Sequence, residues 1–167
     1  MIDACPAGII EREELLNLLP HRGKMFLLSR IVDYNLDART LKAEYDVTKD
    51  CLFYDPRIKG VPSWISFEFM AQCVASITGL EHRRKGEPVK LGFILSVSAL
   101  EIGRPLINDG ETVSVTIAED VRVDTVYTFN CEVSSAKYPE SPGIARAKLT
   151  VYDVKDLSQF LKENYAG

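Results

Sequence analysis

The chain predicts an α+β domain in which one antiparallel sheet of about six strands curls around a single long helix. Three observations carry this reading. Two short strand-like segments precede residues 63–85, four longer alternating segments follow them, and the stretch between is apolar around its circumference. Ile65, Phe67, Phe69, Met70, Cys73, Val74, Ile77 and Leu80 leave no wide polar face, so this helix is wrapped rather than leaned upon. The 167 residues form one domain, 1–167, long enough to bury a substantial core.

Each element has its own signal. Glu11 to Leu19 predicts a short helix with Leu15, Leu16, Leu18 and Leu19 on its apolar side, stopped by Pro20. His21-Arg22-Gly23-Lys24 then makes a turn. Met25 to Val32 and Leu41 to Val47 predict antiparallel neighbours joined across Asn35 to Arg39. Cys51 to Pro62, carrying Pro56, Gly60 and Pro62, predicts an irregular loop. Ser63 is a candidate N-cap for the central helix, which runs to Lys85 and ends before Gly86-Glu87-Pro88. Strands follow over Leu91–Leu100, Thr112–Val121, Thr125–Ser134 and Ile144–Val154, turned at Asp109-Gly110, Val123-Asp124 and Tyr138 to Gly143. Asp156 to Glu163 predicts a last short helix. The sheet keeps an open edge, which favours pairing with a second copy or a relative.

The net charge of −4, with no domain-wide basic stripe, argues against nonspecific nucleic-acid binding. No apolar run reaches bilayer length, and Met1 to Gly8 lacks a signal-peptide pattern. Cys5, Cys51, Cys73 and Cys131 are scattered without metal-ligand spacing, which predicts reduced core thiols in a cytoplasmic protein. G-x-S-x-G, P-loop, dinucleotide and zinc signatures are all absent, so the sequence implies no cofactor and no metal.

Chemistry concentrates in the loop-to-helix passage from Lys59 to Gln72. Glu68 stands among Trp64, Ile65, Phe67, Phe69 and Met70. Burying a carboxylate costs several kcal/mol unless it is paired or hydrogen-bonded. Glu68 is therefore either satisfied structurally or poised for proton chemistry. His21, following Pro20, reads as a residue bonding the last helical carbonyls. His82, beside Arg83, Arg84 and Lys85, reads as positive charge on a solvated helix end.

Several segments match a known pattern in order. Leu18-Leu19-Pro20-His21-Arg22 is followed by Phe26 to Val32, then by Pro62 and Glu68-Phe69-Met70-Ala71-Gln72, then by Gly103-Arg104-Pro105 through Asp109-Gly110-Glu111. Over roughly residues 10–153 the chain resembles the hot-dog-fold 3-hydroxyacyl-acyl-carrier-protein dehydratases. Val61-Pro62-Ser63-Trp64 through Gln72, and Arg83 through Phe93, are most similar to the dehydratase-like proteins of aryl polyene biosynthesis. The resemblance implies a curved sheet around a central helix and loss of water from 3-hydroxyacyl thioesters in fatty-acid or aryl-polyene-type elongation. It also implies an acyl carrier protein with phosphopantetheine-linked substrate as partner, and a homodimer or a heterodimer with another hot-dog protein.

One position departs from the family. Its catalytic His would fall at Tyr54, fourteen positions before Glu68, in Phe53-Tyr54-Asp55-Pro56-Arg57. A phenol of pKa about 10 is a poor general base at neutral pH. The resemblance makes Glu68 the catalytic carboxylate, with Tyr54 or Asp55 in the space of the missing His. Gln72, one turn after Glu68, orients that carboxylate or the substrate. Ser63, Trp64 and Ile65 open the helix and offer backbone donors to an enolate-like oxygen. Arg83, Arg84 and Lys85, extended by Arg57, Lys59 and Arg104, are the candidate carrier-protein docking patch. Two other functions share these residues: a non-catalytic partner subunit of a heteromeric dehydratase, and a hot-dog acyl thioesterase in which Glu68 or Asp55 activates water.

Overall fold

Alternate side chains of the central strands converge on one helix. The computed structural model describes residues 8–140, 143–154 and 156–165. Cys5 and part of the turn between Tyr138 and Gly143 lie outside them. In chain order the elements are β1 (Ile10–Glu11), α1 (Arg12–Leu15), β2 (Arg30–Asn35), β3 (Thr40–Asp46), β4 (Gly60–Pro62), α2 (Ser66–Arg84), β5 (Gly92–Ile102), β6 (Leu106–Asn108), β7 (Thr112–Val123), β8 (Val126–Ser135), β9 (Ala145–Asp153) and α3 (Leu157–Tyr165). Seven strands form one antiparallel sheet in the order β1-β2-β3-β7-β8-β9-β5, and β4 pairs with β6 apart from it. The helix α2 packs against β3, β7, β8, β9 and β5. This is the hot-dog architecture, with one strand more than the sequence predicts in the main sheet.

Register explains the core. Leu41, Ala43 and Tyr45 pair with Ile117, Val115 and Val113, while Phe129 pairs with Leu149. All of these are buried, together with Phe69, Met70, Cys73, Ile77 and Leu80 of α2. The Tyr45 and Phe69 rings meet with centroids 4.4 Å apart. Full burial of such side chains contributes about 1.5–3 kcal/mol each.

The chain departs from the sequence expectations in several places near the central helix. The first helix is four residues long and ends at Leu15, not Leu19. Beyond it the backbone of Leu18 lies against Gly79, where an added Cβ would sit 2.2 Å from the Leu18 carbonyl oxygen. Residues 25–29 do not form a strand. Their backbone groups are taken by side chains: Arg12 donates to the Phe26 and Leu28 carbonyls, and Gln72 bonds Met25 and Leu27. The loop before the long helix ends in a strand, β4, whose Gly60 meets Ile107 so closely that a Cβ would lie 2.2 Å from its carbonyl oxygen. Ser63 does not cap a helix. It begins a 3₁₀ turn, donates its N–H to the Pro105 carbonyl at 3.0 Å, and buries its hydroxyl.

At the far side of the sheet, β5 pairs with β9 and, among the described residues, with no other strand. Every residue of β5 is exposed, including Phe93, Ile94, Leu95, Val97, Leu100 and Ile102. Phe160 of α3 stacks on Phe93 with centroids 5.2 Å apart. Among the described residues no helix is long and apolar enough to cross a membrane. Cys73 and Cys131 are buried and Cys51 is half-buried. Burial pushes the Cys131 thiol up to about 12, so this sulfur is inert as a nucleophile at neutral pH.

Candidate active site

Side-chain size along one stripe of α2 opens a cavity. Glu68, Ala71, Ala75, Thr78, Gly79 and His82 recur at spacings of three and four, the period of one helical face. Small residues in the middle of that stripe leave room between α2 and the ends of β5 and β9. The result is a cavity of about 290 Å³, lined at one end by His21 and Glu68 and at the other by His82, Tyr127 and Asp153.

Glu68 is held in place rather than left free. Gln72, one turn later, donates from Nε2 to Glu68 Oε1 at 2.9 Å and to the Met25 carbonyl at 2.7 Å. Its Oε1 accepts the Leu27 N–H at 2.9 Å. A fully buried amide thus ties the segment after Gly23 to the carboxylate, orienting it.

His21 is where sequence reasoning needs correction. It does not bond the carbonyls ending the first helical segment; Arg22 does that, through the Leu19 carbonyl. His21 instead brings Nε2 to 3.6 Å from Glu68 Oε1, with Nδ1 buried and without a hydrogen bond. Burial first, and then the Arg22 charge, lower its pKa below the ordinary 6.5 despite the opposing pull of Glu68. A neutral imidazole therefore faces a fixed carboxylate across the cavity mouth. The only local signal for it in the sequence is Pro20, which turns the chain back at this point.

The other candidates lie elsewhere. Tyr54 borders a separate depression with Lys49, Pro56, Lys59, Asn108 and Asp109. Partial desolvation, and next the Asp109 carboxylate, raise its phenol above the ordinary 10, which makes it a donor and not a base. Asp55 is engaged by the Arg57 guanidinium and N–H, which hold its carboxyl below the usual range. No hydrogen bond or ion pair recorded among the described residues joins either side chain to Glu68. Trp64 is exposed and Ile65 is in the core. Arg83, Arg84 and Lys85 are exposed but each faces an acid of this chain, namely Glu14, Asp37 and Glu81.

His82 also differs from the expectation. It is not at a solvated end: only 6% of its surface is accessible. Nδ1 lies 2.8 Å from Glu87, and Nε2 lies 3.2 Å from Asp153 without hydrogen-bond alignment. Among the described residues no group of three or more His, Cys, Asp or Glu is arranged to hold a metal ion.

The chain has relatives among known proteins in both sequence and fold. A 3-hydroxyacyl-[acyl-carrier-protein] dehydratase FabZ of Chlamydia caviae is 34% identical over 77 residues, which cover 44% of this chain and half the length of that protein. The FabZ of Fusobacterium nucleatum is 24% identical over 140 residues, 82% of this chain and 92% of that one. Among solved structures, the dehydratase heterocomplex ApeI:P from Xenorhabdus doucetiae superposes with a TM-score of 0.77 at 19% identity. That match covers 90% of this chain and 97% of that one, and it supports the fold. A family model for ApeP-like proteins, described as ApeP dehydratase, matches residues 13–162. With nearly the whole domain matched by that model, the chain belongs to the ApeP-like dehydratase family.

Proposed function

We propose that this chain removes water from carrier-protein-linked 3-hydroxyacyl thioesters, with the Glu68–His21 pair as its proton-handling site. The observation that carries the reading is the 3.6 Å approach of His21 to a carboxylate fixed by Gln72 at a cavity mouth. The neutral imidazole takes the α-proton and hands it, with the Glu68 carboxylate as relay, to the departing 3-hydroxyl, which leaves as water. The C–H and C–O bonds break, a C=C bond forms, and both side chains return to their starting state. The reaction needs no net proton and no cofactor. A contribution of 10²–10⁴ in rate is ordinary for such positioned acid–base groups.

A second reading is favoured by β5. An eleven-residue exposed apolar strand with an edge unpaired among the described residues suits another hot-dog subunit, and the similar ApeI:P is a dehydratase heterocomplex. In this arrangement the partner supplies the base and this chain supplies Glu68 and Gln72. Tyr54 and Asp55, distant from Glu68 in sequence and unlinked to it in the fold, would then act only across a subunit boundary. The acidic carrier would exchange with the acids now facing Arg83, Arg84 and Lys85, since exposed ion pairs hold only about 0–1 kcal/mol.

Turnover of a 3-hydroxyacyl thioester by the purified chain, following product mass and thiol release together, tests both. Loss of water without thiol release supports the self-contained site. Activity appearing only with a second hot-dog subunit supports the heteromer. Thiol release instead of water loss would overturn the dehydratase reading in favour of a thioesterase.

A further inference from the structure

One imidazole stands between two carboxylates, and that arrangement is complete in a single protonation state. His82, nearly wholly buried in the last turn of α2, sets Nδ1 2.8 Å from Glu87 Oε2 and Nε2 3.2 Å from Asp153 Oδ2. A neutral ring carries one N–H, so it serves one carboxylate and presents a lone pair to the other. The imidazolium carries two and serves both. Lys90 adds its ammonium 2.6 Å from the same Glu87 oxygen. With His82 protonated, two cations face two anions. With it neutral, one anion is left over beside a buried ring, where an unpaired charge is costly. The other charged groups nearby are engaged elsewhere. On α2, Glu81 pairs with Arg39 and Arg83 with Glu14. On β8, burial first, and then the Asp153 charge, hold the Tyr127 phenol above the ordinary 10. Arg39 and Arg122 lie over the Tyr127 ring and both pair with Glu119.

The partners belong to three separate segments: the end of α2, the connection leading to β5, and the last residue of β9. The Glu87 N–H donates to the His82 carbonyl at 2.9 Å, Gly92 pairs with Asp153, and the Val154 N–H donates to the Leu91 carbonyl at 3.1 Å. We infer that His82 is a proton-operated latch: its imidazolium fastens the α2–β5 connection to the end of β9, and loss of one proton releases it. What the latch holds is the entry of β5 at Gly92 and Phe93, which is both a wall of the cavity and the beginning of the sheet's edge strand. Order at that edge is thereby set by pH, over the range in which histidine ordinarily changes charge. Nothing in the latch depends on the reaction that the cavity carries out.

Ring-carbon shifts of His82, followed by NMR from about pH 5 to about pH 9, locate its charge change. Amide hydrogen exchange on either side of that change, corrected for its intrinsic pH dependence, reads the latch. Protection over residues 87–94 should fall about tenfold or more as His82 loses its proton, while the β7–β8 pair stays as it was. Asp153→Asn offers an amide donor to a neutral Nε2, so protection there should stay within about twofold across the range. His82→Gln should leave the connection loose at every pH. Thermal melting shows which variant is folded; either one suffices, and the wild-type comparison stands without them. Unaltered protection over 87–94 while the His82 ring titrates overturns the latch. So does a ring that keeps one charge state throughout. A pH response that persists in folded Asp153→Asn, or that vanishes in folded His21→Gln, assigns it to another group and overturns the latch equally.

Discussion

The two faces of α2 are built from side chains of different size and do different work. Toward the sheet, Phe69, Met70, Cys73 and Ile77 are fully buried in the core. Toward the cavity stand Glu68, Ala71, Ala75, Thr78, Gly79 and His82, polar at the two ends and small between. One helix thus holds the domain together on one side and walls a cavity on the other. The lesson is that stability and chemistry here are separable by a rotation about one axis, and substitutions should sort accordingly.

The largest effect expected is on the core side. Phe69→Ala removes a ring packed on Tyr45 and should destabilise the fold by about 3–5 kcal/mol, read from urea unfolding midpoints. On the cavity side, Glu68→Gln should lower the dehydration rate by about 10²–10⁴ while the melting temperature stays near that of the wild type. Full activity in a well-folded Glu68→Gln protein would remove Glu68 from the mechanism. Gly79→Ala should break the division, because a Cβ there meets the Leu18 backbone, not open space. A loss of about 1–3 kcal/mol in thermal or chemical unfolding would show that this one cavity-side position serves packing. Ala75→Leu should sharpen the division: stability changes by less than about 1.5 kcal/mol, while kcat/KM falls for long acyl chains and survives for short ones. Equal losses at every chain length would mean that the cavity does not hold the tail.

The smallest effect is electrostatic and concerns His21. Its folded-state pKa is depressed, so in the window from 6.5 downward the unfolded chain binds the proton more readily. Stability should therefore fall as pH drops below 6.5 and level off once the folded-state imidazole also titrates. His21→Gln should remove this part of the acid sensitivity. An unchanged stability profile from pH 7 to 5 in that variant would show that other groups carry it.

Much of this was legible in the sequence, for physical reasons that can be named. The wrapped helix and the four long strands follow from apolar period, and Glu68 with Gln72 follows from helical spacing. The strand expected over Met25 to Val32 starts five residues late because Arg12 and Gln72 side chains capture the backbone groups a neighbouring strand would use. Local pattern cannot show a partner that lies 45 residues away. His21 and His82 escape a local reading for the same cause: each is polar in sequence, yet His21 is half covered and His82 nearly wholly covered by segments distant in the chain. The cavity had a faint signal in Ala71, Ala75 and Gly79, but small residues on a helix mark close packing as readily as open room. Gly79 does the former and Ala75 the latter.

The bare edge at β5 has a consequence for how the protein must be made. Eleven consecutive exposed residues, six of them large and apolar, present an unpaired backbone ribbon to any chain that meets it. A template of this kind does not discriminate well between its proper mate and a misfolded stranger. Synthesised in excess over whatever covers that edge, the chain should drift toward insoluble aggregate, while balanced synthesis keeps the ribbon occupied. Its safe concentration is therefore a property of the stoichiometry in which it is produced, and not of the single fold alone.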